Sequence, residues 1–286
     1  MADGVTPYPA WDGTLSNKSR LGVITANEVR LAFRNTWSMI AIGLGLAWGF
    51  ASIIEFYQIR QGGAAIHGWD GFTSMLDQLL WFALFVAATV GGPTLLEDAR
   101  GGALELYLSR SVNRFEYLGG KVLAVLLLTT LIVALPAVVY WGASYVFYEE
   151  HPENWAMAPL GAFGYALMWG LMASGLALGL SSVGRSASGA ALGLLGGFAA
   201  LAFIVDPPGI FAGMAPLPEL TADLRYTVLS PFAAFEQQKE WLFDLAAPHA
   251  FPYWWGLVYW AALTVLGWLL VAFRHPRARG EEHGRL

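Results

Sequence analysis

Gly119-Gly120-Lys121 is where this sequence comes nearest to phosphate chemistry. A phosphate-cradling loop needs G-x-x-x-x-G-K-[S/T], so that backbone amides wrap the anion and a hydroxyl reaches the metal. Phe115 stands where the first Gly belongs and Val122 where the hydroxyl belongs, so the motif fails at both ends. Met168 and Met172, one helical turn apart, present two thioethers, which suit Cu(I). With no Cys in the chain and no His nearby, the pair reads better as flexible core filling. His67, His151, His249, His275 and His283 are scattered without metal-ligand spacing, and neither H-E-x-x-H nor G-x-S-x-G occurs. The lack of Cys also excludes disulfides, thiolate zinc sites and iron–sulfur clusters. No constellation supports catalysis, so the expectation is a non-catalytic chain with no cofactor or metal of its own.

What has to be positioned instead is charge, and there is little of it. The 286 residues are 56% hydrophobic and 13% charged, with a mean hydropathy of +0.51. A soluble domain carries about 25% charge, so this composition predicts a polytopic membrane protein. The net charge of −5 argues against nucleic acid as a partner. Residues 1–20 are polar, with Pro7, Pro9, Asp12 and Lys18, and lack the apolar core of a signal peptide.

A span needs about 20 mostly apolar residues. Runs at 36–57, 76–96, 118–147, 160–181, 187–205 and 253–273 meet that length or approach it. Basic flanks orient them. With the N-terminus inside, Arg60, Arg225 and Lys239 fall outside and the other thirteen basic residues inside. Phe251, Tyr253, Trp254 and Trp255 open the last run at the outer boundary, where amphipathic rings favour the headgroup level. Both termini are then cytoplasmic. Glu55 and Asp77 fall near outer ends of spans, Glu97 ends the second on the inner side, and no ionisable residue lies mid-span. Central charges usually mark ion or proton routes, so a channel, a proton-coupled carrier and a voltage sensor are disfavoured.

Small residues mark faces where helices can approach closely. Gly189, Gly193 and Gly197 recur every four residues in the fifth run; Ala166, Gly170 and Ser174, with Gly175 and Gly179, do so in the fourth. Packing within the chain is the plain expectation for both stripes, and sliding of these faces during transport the sharper one. Pro136 frees a carbonyl inside the third run and predicts a kink.

Two polar pieces break the apolar pattern. Residues 21–35 read as an imperfect amphipathic helix on the inner surface, with Glu28, Arg30 and Arg34 as its polar residues. Glu28 has no basic residue three or four positions away, so pairing along the helix does not explain it. The second piece, Glu97–Lys121, reads EDARGGALELYLSRSVNRFEYLGGK and holds four acidic and four basic residues. Residues 98–109 carry good helix formers, with Ala99, Ala103 and Tyr107 on one face and Leu104 and Leu108 beside it. Asn113 followed by Glu116 predicts a capped helix start. Lys121 is placed to snorkel to the inner interface. The apolar face of 98–109 predicts a helix lying against another protein.

The run LLEDARGGALELYLSRSVNRFEYLGGKVLA resembles the cytoplasmic loop of type-2 ABC transporter permeases of the exporter class. Glu97, Gly102, Leu104, Glu105, Leu108, Ser109, Arg114, Glu116, Gly120 and Lys121 fit by position, while Ala103 and Ser111 depart where the family often has Thr and Pro. The start with Glu28, SSVGRSASGA between spans four and five, and LSPF at 229–232 also look like the family. The resemblance implies an all-α integral membrane fold: six transmembrane helices, an N-terminal amphipathic interface helix and a cytoplasmic coupling helix between spans two and three. It implies a polar terminus at 1–20, a transmembrane domain over 21–273, an extracellular loop with short gate helices at 206–252 and a cytoplasmic tail at 274–286. The coupling contacts it assigns are Glu97, Asp98, Arg100, Glu105, Ser109, Arg110 and Arg114 around Leu104, Tyr107 and Leu108. The implied partners are two copies of an ABC ATPase carrying ATP and Mg, a second permease subunit and membrane lipids, in the cell membrane. The implied function is export of an amphipathic or hydrophobic substrate. A membrane scaffold or assembly factor is the rival: it accounts for six spans but not for the helix at 98–109.

Overall fold

The computed structural model describes residues 20–61, 68–101, 113–147, 155–205, 238–239, 241–243 and 254–274. The expected N-terminal tail, the C-terminal tail, residues 102–112 and most of 206–252 lie outside the described residues. Every regular element described is helical: α1 (Arg20–Ala32), α2 (Thr36–Gln61), α3 (Gly68–Arg100), α4 (Arg114–Phe147), a 3-10 turn (Trp155–Met157), α5 (Ala158–Val183), α6 (Ala187–Val205) and α7 (Trp254–Arg274). In hydrocarbon, backbone amides and carbonyls find no water, so only self-satisfied helices or closed barrels span it.

Stretches within α2, α3 and α4, and the stretch from the 3-10 turn through α5, are long and apolar enough to cross a membrane; apolar stretches in α6 and α7 are shorter. The outside of the bundle is correspondingly oily. Leu44, Ile54, Leu127, Leu131, Leu192, Leu266 and Leu269 are all exposed, a surface that water would not tolerate at this density.

Helices α3, α4 and α5 form the centre. α2 packs on α3 and α4, α6 on α3 and α5, α7 on α5, and α1 on α4. Small residues set the closest crossings. A Cβ on Gly267 of α7 would lie 2.6 Å from Leu176 N, and one on Gly179 would lie 3.2 Å from Gly267 Cα, so α5 and α7 touch backbone to backbone. A Cβ on Gly49 would meet the Pro136 ring at 2.6 Å, which seats that proline against α2. In the fourth apolar run, Ala166, Gly170, Ser174, Gly175 and Gly179 are all buried.

The fifth-run stripe behaves differently from the expectation of packing within the chain. Gly189, Gly193 and Gly197 are exposed. A Cβ at Gly197 would meet nothing within 4 Å, and one at Gly193 only Leu180 Cδ1 at 4.0 Å. Gly189 belongs to the cap of α6, its N–H donating to Ser186 Oγ at 3.0 Å. α6 instead approaches α3 through Ala191, whose N lies 3.2 Å from where a Gly92 Cβ would stand.

An aromatic cluster closes one end of the bundle. Trp69, Phe72, Tyr140, Trp155 and Phe243 meet at ring-centroid separations of 4.8–6.4 Å. Trp155 Nε1 donates to Ser144 Oγ at 2.7 Å and Trp141 Nε1 to the Trp155 carbonyl at 3.0 Å. Phe243 and Lys239 arrive from the long connection between α6 and α7. Lys239 pairs with Asp77, which lies well inside α3 because that helix begins at Gly68 rather than near residue 76.

Candidate functional site

The opposite end of the bundle carries Arg20, Arg34, Arg100, Arg114, Lys121 and Arg185. Here α1, the last turn of α3 and the first turns of α4 converge. α4 starts at an N-cap of the kind its sequence predicts: Phe115 N–H donates to Asn113 Oδ1 at 3.2 Å, and Asn113 N–H donates back to Glu116 Oε2 at 3.0 Å. Two turns on, Gly120 lets α1 lie directly on α4. A Cβ at Gly120 would meet Ile24 Cγ2 at 2.7 Å, and the Thr25 hydroxyl donates to the Gly120 carbonyl at 3.2 Å.

This contact buries Lys121. Rather than snorkelling to the interface, its side chain is 1% exposed. Its Nζ lies 2.8 Å from Glu28 Oε1 and 2.8 Å from Asp98 Oδ2. The Tyr117 hydroxyl donates to the same Asp98 oxygen at 2.6 Å, and the ammonium sits 5.1 Å from the Tyr117 ring centroid. One cation thus holds carboxylates from two helices while belonging to a third. A buried ammonium is tolerated only when paired and hydrogen-bonded, and two acceptors plus an aromatic face meet that need. Leu95, Leu118, Val122, Leu178 and Val271 form an apolar cluster around Ile24 and Tyr117. The Arg20–Glu116 pair at 3.9 Å is half exposed and adds little.

α3 runs on to Arg100, past the expected end at residue 96. It is tied to α5 close to Pro93, whose ring removes one amide donor from the helix. The N–H groups of Leu95 and Leu96 donate to Ser181 Oγ at 3.1 and 3.3 Å. The Arg100 guanidinium donates to the Arg185 carbonyl in the turn before α6.

Of the residues expected at the coupling surface, Glu97, Asp98 and Arg100 therefore belong to the end of α3, and Arg114 is the exposed first residue of α4. Leu104, Glu105, Tyr107, Leu108, Ser109 and Arg110 lie outside the described residues. On α1, Glu28 is drawn inward to Lys121, Arg30 is exposed, and Arg34 follows the helix in the turn to α2. Asn35 caps α2 by accepting from Trp37 N–H at 2.9 Å. The sequence reading missed the pairing of Lys121, the role of Tyr117 and the Ser181 stitch. The available signal was Glu28 itself, an acid on an amphipathic helix without a local partner. Among the described residues, no group of three His, Asp or Glu could hold a metal ion.

These features define a class: an all-helical, multi-pass membrane protein whose basic end is organised by a buried ion cluster joining a surface helix to two long helices. Residues 24–275 match the family described as ABC-2 family transporter protein, and the chain belongs to it. It is a type-2 ABC transporter permease, a membrane transport subunit of a family that works with an ABC ATPase. No curated protein matches the chain.

Proposed function

We propose that this chain is the permease subunit of an ATP-driven exporter that moves an amphipathic or hydrophobic substrate by alternating access. The observation that supports this reading is the Lys121 cluster. Residues 102–112 connect the end of α3 to the start of α4, and both of those ends are held, together with α1, by one buried ammonium. A push on the connection reaches three helices at once instead of bending one loop.

In this reading the coupling helix, expected at 98–109, starts beyond Arg100, because Asp98 and Arg100 belong to the end of α3. It seats against a cytoplasmic ATPase subunit, with Leu104, Tyr107 and Leu108 at the centre and charged residues at the rim. Two such ATPase subunits, carrying ATP and Mg, act on a pair of permeases in the cell membrane. All six long helices cross the bilayer, both termini are cytoplasmic, and the aromatic cluster with Lys239 lies on the far side. Apolar cargo is favoured because the described bundle centre is built from residues such as Leu79, Leu84, Ile132 and Met172 and pairs its buried charges at the ends.

The test uses the absence of Cys. Ser109→Cys, co-expressed with the candidate ATPase carrying single Cys residues in its groove, is expected to give a crosslink that changes with ATP. Absence of a crosslink, with both proteins folded and position 109 accessible to thiol reagents, shifts the reading to a membrane scaffold or assembly factor.

A further inference from the structure

A cavity of about 320 Å³ lies where α1 turns into α2, against the last turns of α3. Its polar lining includes Glu28, Arg34, Ser38, Thr94, Glu97 and Asp98, with Asn35 and Thr89 beside them, and Leu31, Val90 and Pro93 supply an apolar wall. The volume falls at the small end of the ~300–1,000 Å³ typical of ligand pockets and far exceeds the space of one bridging water.

Ser38 carries the argument for a ligand. It is 0% exposed, and its Oγ has no hydrogen-bond partner. Ser52, Thr73, Thr89 and Thr94 on these helices each bond the carbonyl four residues back, Ser52 to Trp48 at 3.0 Å. Ser38 has no such carbonyl in register, because residue 34 lies in the turn before α2. A buried hydroxyl left unmatched destabilises the fold unless something in the cavity completes it.

The charges say what that something is. Three carboxylates and one guanidinium line the space, and Lys121 behind the wall neutralises one carboxylate. Glu97 and Arg34 stand at the exposed rim with no side-chain partner among the described residues. A net negative lining attracts a cation. Among the described residues no group of three acids could hold a metal ion, whereas an organic ammonium with several donors needs only hydrogen-bond acceptors such as two carboxylates and a hydroxyl. Arg34 adds a fork for phosphate. The site sits beside the amphipathic helix α1, and helices of that kind favour the headgroup level of a membrane.

We propose that this cavity binds the phosphoethanolamine headgroup of a membrane lipid. The ammonium donates to Glu97, Asp98 and Ser38 Oγ, the phosphate meets Arg34, and the acyl chains follow the exposed Leu31 side of the opening. The proposal concerns a resident lipid of the permease itself and does not depend on which partner drives transport or on what is carried.

The full-length permease, delipidated in detergent, is titrated by native mass spectrometry with phosphatidylethanolamine, phosphatidylcholine and phosphatidylglycerol of identical acyl chains. Phosphatidylethanolamine is expected to bind about tenfold more tightly than the other two, the ratio for one charge-assisted hydrogen-bond set gained or lost. Glu97→Gln and Arg34→Ala, both at exposed rim positions that leave folding intact, are each expected to remove most of that preference. Ser38→Ala is expected to weaken it while raising or preserving the melting midpoint, since the unmatched hydroxyl is gone. Soluble phosphoethanolamine at millimolar concentration should compete with the lipid. Equal binding of the three lipids overturns the proposal, as does a preference that survives Glu97→Gln and Arg34→Ala. Competition by the soluble headgroup without any lipid preference assigns the cavity to a soluble amine and overturns the lipid source.

Discussion

The ammonium of Lys121 lies 2.8 Å from the carboxylate of Glu28, although 93 positions separate them in the chain. Asp98 meets the same nitrogen at the same distance. The two acids have side chains 14% and 23% exposed, against 1% for the lysine, so water reaches the carboxylates but not the cation. Removing the cation leaves two negative groups facing each other without a counter-charge. Lys121→Met is expected to cost about 3 kcal/mol, the lower end of what breaking a buried pair costs. Thermal unfolding of the purified chain reads this directly. The triple change Glu28→Gln, Asp98→Asn, Lys121→Met should recover part of the loss. A melting midpoint unchanged by Lys121→Met alone counts against the cluster as a structural lock.

The pair at the other end is weaker. Asp77 is 41% exposed and Lys239 only 9% at the side chain, and the lysine is brought in by a segment remote in sequence. A double-mutant cycle with Asp77→Asn and Lys239→Met should give a coupling of about 1 kcal/mol, discounted for the exposed carboxylate. A coupling near zero shows that the segment around Phe243 is held by its aromatic contacts alone.

Glycine substitutions separate close helix crossings from open faces. Gly267→Ala forces a methyl into the α5 backbone, where the nearest neighbours are main-chain atoms that cannot rotate away. It is expected to destabilise by about 1–3 kcal/mol. Gly197→Ala meets open space and should stabilise the isolated chain by up to about 1 kcal/mol through helix propensity. Melting of both variants, with size analysis of the detergent-solubilised protein, checks the contrast. A Gly197→Ala chain that melts lower or changes oligomeric state shows that the exposed stripe is covered by another subunit.

Leu108→Asp tests the proposed coupling role. A charge at the packed centre of the contact should lower transport strongly while the ATPase partner still hydrolyses ATP and the permease still melts normally. Rates of ATP hydrolysis and of substrate movement, measured on the same reconstituted complex, decide it. Transport at the unmodified rate excludes the segment around Leu108 as the coupling element.

Some of this was written locally and could be read without a structure. The long apolar runs correspond to helices because a lipid environment leaves the backbone no other way to satisfy its polar groups. Asn113 and Glu116 announced the start of α4, since capping is settled within four residues. Family membership was legible in the charged stretch 97–121 for the same reason: its pattern is contiguous.

Which faces of the helices meet was a different matter. A helix for a bilayer is apolar on the lipid side and on the buried side alike, so periodicity does not tell one from the other. Two glycine stripes with the same spacing accordingly met opposite fates: Gly175 and Gly179 lie buried against α7, while Gly193 and Gly197 stay open. The end of α3 at Arg100, the burial of Lys121, the stitch from Ser181 and the unmatched Ser38 also had no local signature. Each depends on groups that lie far apart in the chain. The sequence by itself determined that this chain folds as membrane helices of a type-2 ABC permease, because composition and capping act over a few residues. Only the tertiary structure decided where its buried charges go, because a lysine in a low-dielectric wall is placed by whichever carboxylates the packed helices carry to it.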